Sequence, residues 1–89
     1  MAYRIEFTPR AEREFKSLDG SVRGRIKQRI DSLAEKPHPP GIKKIEGEEE
    51  LYRLRVGDYR ILYQVKEKTL LVLIVRIGHR REVYRRIGG

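Results

Sequence analysis

The alternation of apolar and polar side chains in Tyr3-Arg4-Ile5-Glu6-Phe7 has the two-residue period of a half-buried strand. Thr8-Pro9 then predicts an N-cap and the first position of a helix. Ala11, Phe15 and Leu18 fall at i, i+4 and i+7, one face of a short helix. Asp19-Gly20-Ser21 breaks it, and Val22, Ile26, Ile30 and Leu33 mark a second amphipathic helix with Arg and Lys on its outer face. Two short helices joined by so few residues are expected to form an antiparallel pair. Lys36-Pro37-His38-Pro39-Pro40-Gly41 cannot continue the helix, and a loop is expected from there to about Glu50. Glu46-Gly47-Glu48-Glu49-Glu50 is the one acidic cluster of the chain; it reads as a solvated loop rather than a cation site.

From Leu51 the pattern turns to β. Leu51–Val56, Tyr59–Lys66 and Leu70–Ile77 are rich in β-branched, aromatic and aliphatic residues. Gly57-Asp58 joins the first two runs, and a leading Gly suits a type II′ turn. The last run is apolar on both faces and reads as a central strand that Gly78 ends. A basic tail follows, with a short helical turn expected around Glu82–Ile87. The order β-α-α-β-β-β predicts one α+β domain over residues 1–89. Its mostly antiparallel four-stranded sheet is covered on one face by the helix pair.

A two-residue turn at Gly57-Asp58 fixes the hairpin register. It pairs Val56 with Tyr59, Arg55 with Arg60, Leu54 with Ile61, Arg53 with Leu62 and Tyr52 with Tyr63. One face is then apolar and belongs against the helices. The other carries Arg53, Arg55 and Arg60. Arg55 directly opposite Arg60 is unfavourable for stability, and no carboxylate in either strand answers it. An anion lying on that face relieves the repulsion, and a break of this kind with local rules marks a functional surface.

Charge sharpens the picture. The formal net charge is +8. Residues 1–50 carry eleven basic and ten acidic side chains, residues 51–89 ten and three, and eight of those ten cations are Arg. Arginine grips phosphate with a planar fork and keeps its charge, so a nucleic acid is the expected partner. Besides the hairpin arginines, Arg23 and Lys27 of the second helix, Arg76, and Arg81, Arg85 and Arg86 of the tail are candidate nucleic-acid contacts. Tyr84 suits either stacking on a base or packing on the core.

Other chemistries find little support. There is no cysteine, hence no disulfide, thiolate site or cysteine nucleophile. Two separated histidines form no metal-ligand motif, and neither phosphate-loop fingerprint is present. His38 reads as an exposed loop residue. His79, beside the basic tail, is the candidate for proton transfer near neutral pH. The longest apolar run is too short to span a bilayer and the N-terminus lacks a signal-peptide layout, so a soluble cytoplasmic protein is expected. The inventory suits metal-independent RNA cleavage, in which a 2′-hydroxyl attacks the adjacent phosphate and fixed cations stabilise the added charge.

The segment Leu51-Tyr52-Arg53-Leu54-Arg55-Val56-Gly57-Asp58-Tyr59-Arg60-Ile61-Leu62-Tyr63-Gln64-Val65, followed by Ile77-Gly78-His79-Arg80-Arg81-Glu82-Val83-Tyr84, resembles the RelE toxins of the RelE/ParE superfamily. The resemblance covers the whole chain. It implies a type II toxin that enters the ribosomal A site and cuts the mRNA codon there. It also implies cleavage without a metal or other cofactor, leaving 2′,3′-cyclic phosphate and 5′-hydroxyl ends. Matched by position, Arg60 stabilises charge on the scissile phosphate, Arg80 assists the leaving 5′-oxygen and Tyr84 orients a codon base. Arg53 and Arg55 stand where the best-studied RelE toxins carry lysines. Arginine hardly gives up a proton, which leaves His79 to fill part of the general-base role. The implied partners are the 70S-type ribosome with mRNA and a cognate RelB-like antitoxin, acidic and partly disordered, through which the complex binds operator DNA. The same fold also admits a ParE-like inhibitor of DNA gyrase, or an RNA- or ribosome-binding protein whose cleavage activity has decayed.

Overall fold

The computed structural model describes residues 2–45, 47 and 50–79. The expected helical turn at 82–87 and most of the acidic cluster lie outside these residues. Strand β1 (Arg4–Phe7) leads into helices α1 (Pro9–Lys16) and α2 (Gly20–Ser32), followed by strands β2 (Lys43–Lys44), β3 (Leu51–Val56), β4 (Tyr59–Lys66) and β5 (Leu71–His79). The strands form one sheet in the order β1-β5-β4-β3-β2. Only the β1–β5 pairing is parallel. The architecture is α+β, as the hydrophobic pattern predicts, with five strands rather than four. The extra strand, β2, lies inside the expected loop and pairs Lys43 with Arg53 and Lys44 with Tyr52.

The helix starts where Thr8 and Pro9 place it. Thr8 Oγ1 accepts from Ala11 N–H at 3.1 Å, and Pro9 occupies the first turn. The break comes earlier than Asp19-Gly20-Ser21 predicts, because Gly20 and Ser21 already belong to α2. One core joins the layers. Ala11, Ile26, Ile30 and Leu33 from the helical side pack with Leu54, Val56, Ile61, Tyr63, Val65, Val72, Ile74 and Ile77 of the sheet. None of the helices is long and apolar enough to cross a membrane among the described residues.

The β3–β4 hairpin has the register that a two-residue turn dictates. Gly57 has φ +61° and Asp58 a negative φ, the sign pattern of type II′. At the far end of β4, Glu67–Thr69 form a 3₁₀ turn closed by Leu70 in the left-handed region. Strand β5 does not stop at Gly78. It runs on to His79, with Gly78 opposite Arg60 and His79 opposite Tyr59. The ladder steps from Leu62–Arg76 to Tyr63–Ile74, so Val75 is an extra residue in a bulge.

Strand β1 covers only the first half of β5, ending with Phe7 opposite Ile74. Beyond that point α1 satisfies the exposed edge. Thr8 Oγ1 donates to Val75 O at 3.0 Å, and Ile77 N–H donates to Glu14 Oε1 at 2.9 Å. The helix thus replaces a strand along the part of β5 that leads to the basic tail.

Candidate active site

The sheet face turned away from the core carries the candidate chemistry. Alternation along β3 puts Leu51, Arg53 and Arg55 on this face, and the β3–β4 register adds Arg60 and Leu62. Arg55 is exposed, Arg53 half-buried and Arg60 only 8% exposed. The depth of Arg60 is the informative feature. Its Nη1 donates to Gly57 O at 3.2 Å and Tyr59 O at 3.1 Å, which pins the guanidinium under the hairpin turn. Its Nε–H, fully buried, has no hydrogen-bond partner. Among the described residues no carboxylate lies within ion-pair distance of Arg55 or Arg60. A buried donor without an acceptor costs about 1–3 kcal/mol, and a cation held this way is prearranged for an anion. Across the ladder on the other side, Arg60 is paired with Gly78, which carries no side chain.

Beside this row lies another. Lys43 pairs with Arg53 and Arg53 with Leu62, so Lys43 joins the arginines on the same face. The sequence pattern misses Lys43, because two residues are too few to show a strand period. Leu62, completely buried, forms a small apolar floor with Leu51, Ile45 and Val75 next to the cations.

Several expected contacts fall elsewhere. Arg76 is 6% exposed and ion-paired to Glu14, its Nε lying 3.2 Å from Oε2. Its guanidinium is therefore tied to α1 at the β5 edge. Arg23 spends its Nη1 on the carbonyls of Lys16 and Leu18 at 3.3 and 3.1 Å, capping the C-terminal end of α1. Lys27 pairs with Asp31 at 2.8 Å on the helical layer. Both lie across the sheet from the arginine face, so neither joins the site. The cause is the same each time. Composition counts a cation, whereas the fold supplies it with a local acceptor.

His79 is also displaced from its expected place. Opposite residues share a face, and His79 is opposite Tyr59, whose side chain packs on the core. Their rings meet edge to face with centroids 5.9 Å apart. His79 thus lines a polar cleft with Glu14, Asp19 and Tyr59 on the helical side. The structure does not bring it to Arg55 and Arg60. Continuation of the strand through Gly78 decides this, because it fixes the alternation that sends His79 to the opposite face. Arg80, Arg81, Tyr84, Arg85 and Arg86 lie outside the described residues.

Arg53, Arg55 and Arg60 are thus brought together, and Lys43 is added. His38 stays exposed, its ring 5.1 Å from that of Tyr52 and its Nε2 3.7 Å from Glu67 Oε1. No group of His, Cys, Asp and Glu among the described residues is placed to hold a metal ion. The assembled face can bind successive phosphates and stabilise extra charge on one of them. Among the described residues it presents no histidine or carboxylate beside Arg60.

Comparison with known proteins agrees in sequence and in fold. Residues 5–84 match the family described as ParE toxin of type II toxin-antitoxin system, parDE. The chain is 33% identical over 88 residues to the mRNA interferase toxin RelE of Escherichia coli (strain K12), covering 94% of this chain and 92% of that one. It superposes on the intact E. coli RelBE toxin-antitoxin complex with a TM-score of 0.79 at 28% identity, covering 88% of this chain and 96% of that chain. The archaeal RelE-RelB complex from Pyrococcus horikoshii OT3 matches with a TM-score of 0.79 at 30% identity, over 90% of this chain and 97% of that one. With the family match spanning most of the chain and the overall fold shared with the E. coli toxin, this protein belongs to the RelE/ParE superfamily of type II toxins.

Proposed function

We propose that this toxin is a ribosome-dependent mRNA endonuclease that cuts A-site codons without a metal. The observation that carries the reading is Arg60: nearly buried, fixed by two backbone carbonyls, opposed by Arg55 and unanswered by any carboxylate among the described residues. Its relation to the mRNA interferase toxin RelE of E. coli supports the same reaction class.

In this reaction the 2′-oxygen of one nucleotide forms a bond to the adjacent phosphorus as its proton departs. The bond from phosphorus to the 5′-oxygen breaks, and that oxygen takes up a proton. The products are a 2′,3′-cyclic phosphate and a 5′-hydroxyl. Arg60 and Arg55 stabilise the charge that builds on the phosphoryl oxygens, in a site that needs no reorganisation. Arg80 assists the leaving 5′-oxygen and Tyr84 orients the base. Arginine contributes little to proton transfer at neutral pH. Most of the acceleration is therefore assigned to geometry, with the ribosome holding the mRNA in line for attack. The natural inhibitor is a RelB-like antitoxin whose acidic segment neutralises the arginine face. The RelB partners in the related E. coli and P. horikoshii complexes support this assignment.

The test uses programmed 70S ribosomes with an open A site and primer extension on the mRNA. A cut within the A-site codon, dependent on ribosomes and leaving a cyclic phosphate, is expected. Arg60→Ala, Arg80→Ala and Tyr84→Phe should each reduce it strongly while the protein stays folded. No cut from folded wild-type protein sinks the proposal, and inhibition of gyrase supercoiling in its place would identify a ParE-like activity.

A further inference from the structure

We infer that Lys43, on the two-residue strand β2, is a phosphate-binding residue of the arginine face. It extends the site by one nucleotide beyond Arg55 and Arg60. The inference rests on the RNA reading above and deepens it.

The sheet register carries the argument. Lys43 is paired with Arg53, and opposite residues of an antiparallel ladder share a face. Arg53 in turn shares its face with Arg55 and Arg60. This face therefore holds two rows of cations, Arg55 with Arg60 and Lys43 with Arg53. The rows are two residues apart along β3, about 7 Å at the usual strand rise. That step matches the separation of neighbouring phosphates on an extended RNA strand. A single strand laid along β3 with one phosphate at the Arg60 row brings its next phosphate to the Lys43 row. Lys43 is exposed, and none of the ion pairs among the described residues involves it, in contrast to Lys16, Lys27 and Lys66. The adjacent Lys44 has the same charge and exposure but pairs with Tyr52, which places it on the other face. A general electrostatic attraction treats the two lysines alike. A built phosphate site distinguishes them.

The experiment measures binding of the purified full-length toxin to a short single-stranded oligoribonucleotide as a function of salt. Each phosphate contact on a single strand contributes about 0.7 to the slope of log K against log salt. Lys43→Gln is expected to lower the slope by about 0.7 and weaken binding at low salt. Lys43→Arg should restore both. Lys44→Gln should leave the slope unchanged. Equal effects of Lys43→Gln and Lys44→Gln overturn the site in favour of diffuse attraction. An unchanged slope in Lys43→Gln overturns it outright, as does a loss confined to binding of an acidic antitoxin peptide. If the wild type binds RNA with no salt dependence, the RNA reading itself has failed. If Arg60→Ala lowers the slope and Lys43→Gln does not, only the present inference has.

Discussion

Arg55 and Arg60 stand directly opposite each other across the β3–β4 ladder, and no described carboxylate lies within ion-pair distance of either. A sheet selected for stability alone places unlike charges or an aliphatic pair at such positions. Under the proposed function the repulsion is the cost of holding Arg60 where it can meet a phosphate. Relief of the repulsion should therefore separate stability from function. Arg55→Gln is expected to stabilise the protein by about 0.2–1 kcal/mol at low ionic strength while weakening RNA binding. Thermal melts at low and high salt check this, since the gain should shrink as salt screens the pair. A variant less stable than wild type at low salt contradicts the repulsion.

Glu14 and Arg76 behave in the opposite way. Glu14 accepts from Ile77 N–H at 2.9 Å and from Arg76 Nε at 3.2 Å, fastening α1 to the uncovered edge of β5. Glu14→Ala strips an acceptor from a backbone donor and leaves Arg76 buried without its partner. Because Glu14 retains some exposure, the cost should be about 1–3 kcal/mol rather than that of a fully buried pair. Arg76→Met keeps volume and removes the charge, so it should cost less. Denaturant titration gives both values. Arg76→Met should also leave the salt slope of RNA binding unchanged, and a decrease would return Arg76 to the nucleic-acid surface.

The contrast between these pairs shows what the sequence reveals about this fold. The hairpin is legible because a Gly-Asp turn and strict alternation fix its register, and from that register the arginine face follows. Thr8-Pro9 is legible because cap chemistry is local. Strand β2 is not, since two lysines in a charged loop carry no period. The bulge at Val75 is equally hidden, because one inserted residue leaves the apolar run unbroken. His79 changes face for a related reason. Gly78 reads as a strand end, but the strand passes through it, and each further residue alternates. Arg23 and Arg76 look like surface cations until the helices bring Leu18 O and Glu14 to them, whereas Lys27 stays exposed beside Asp31 of its own helix.

Gly57 should tolerate little. Its φ of +61° is the left-handed conformation that the first position of the turn requires. A side chain there costs about 1–2 kcal/mol from the backbone alone. A Cβ would also lie 3.2 Å from Arg25 Nη2, the mobile end of a long side chain that can move aside. Gly57→Ala is thus expected to lose about 1–2 kcal/mol, with Gly57→Asn milder because Asn enters this region more readily. Because Arg60 Nη1 bonds Gly57 O, the same change should lower RNA cleavage by more than the fraction unfolded explains. Parallel melts and single-turnover cleavage assays decide. Equal stability of Gly57→Ala and wild type would falsify the turn assignment.

Tyr63 links the core to alkaline stability. Its side chain is completely buried, and its hydroxyl donates to Pro37 O at 2.9 Å, tying the proline-rich loop to β4. Burial, reinforced by Tyr52, raises its pKa well above the ordinary tyrosine value. The folded chain therefore keeps this proton at a pH where the unfolded chain has lost it. Protons bound in the unfolded state are then fewer than in the native state, so stability falls as pH rises. The contribution is fully present below about pH 10, the value in the unfolded chain, and is lost as pH climbs towards the raised native value. Tyr3, raised mainly by its hydrogen bond to Glu67, acts in the same direction from a more exposed position. Tyr63→Phe should cost about 1 kcal/mol at neutral pH through the lost hydrogen bond. It should also flatten the decline of stability above about pH 10. Denaturant titrations of both proteins from neutral to strongly alkaline pH measure the two slopes. Parallel slopes would mean that Tyr63 ionises as readily in the folded protein as in the unfolded chain, and that the core does not hold its proton.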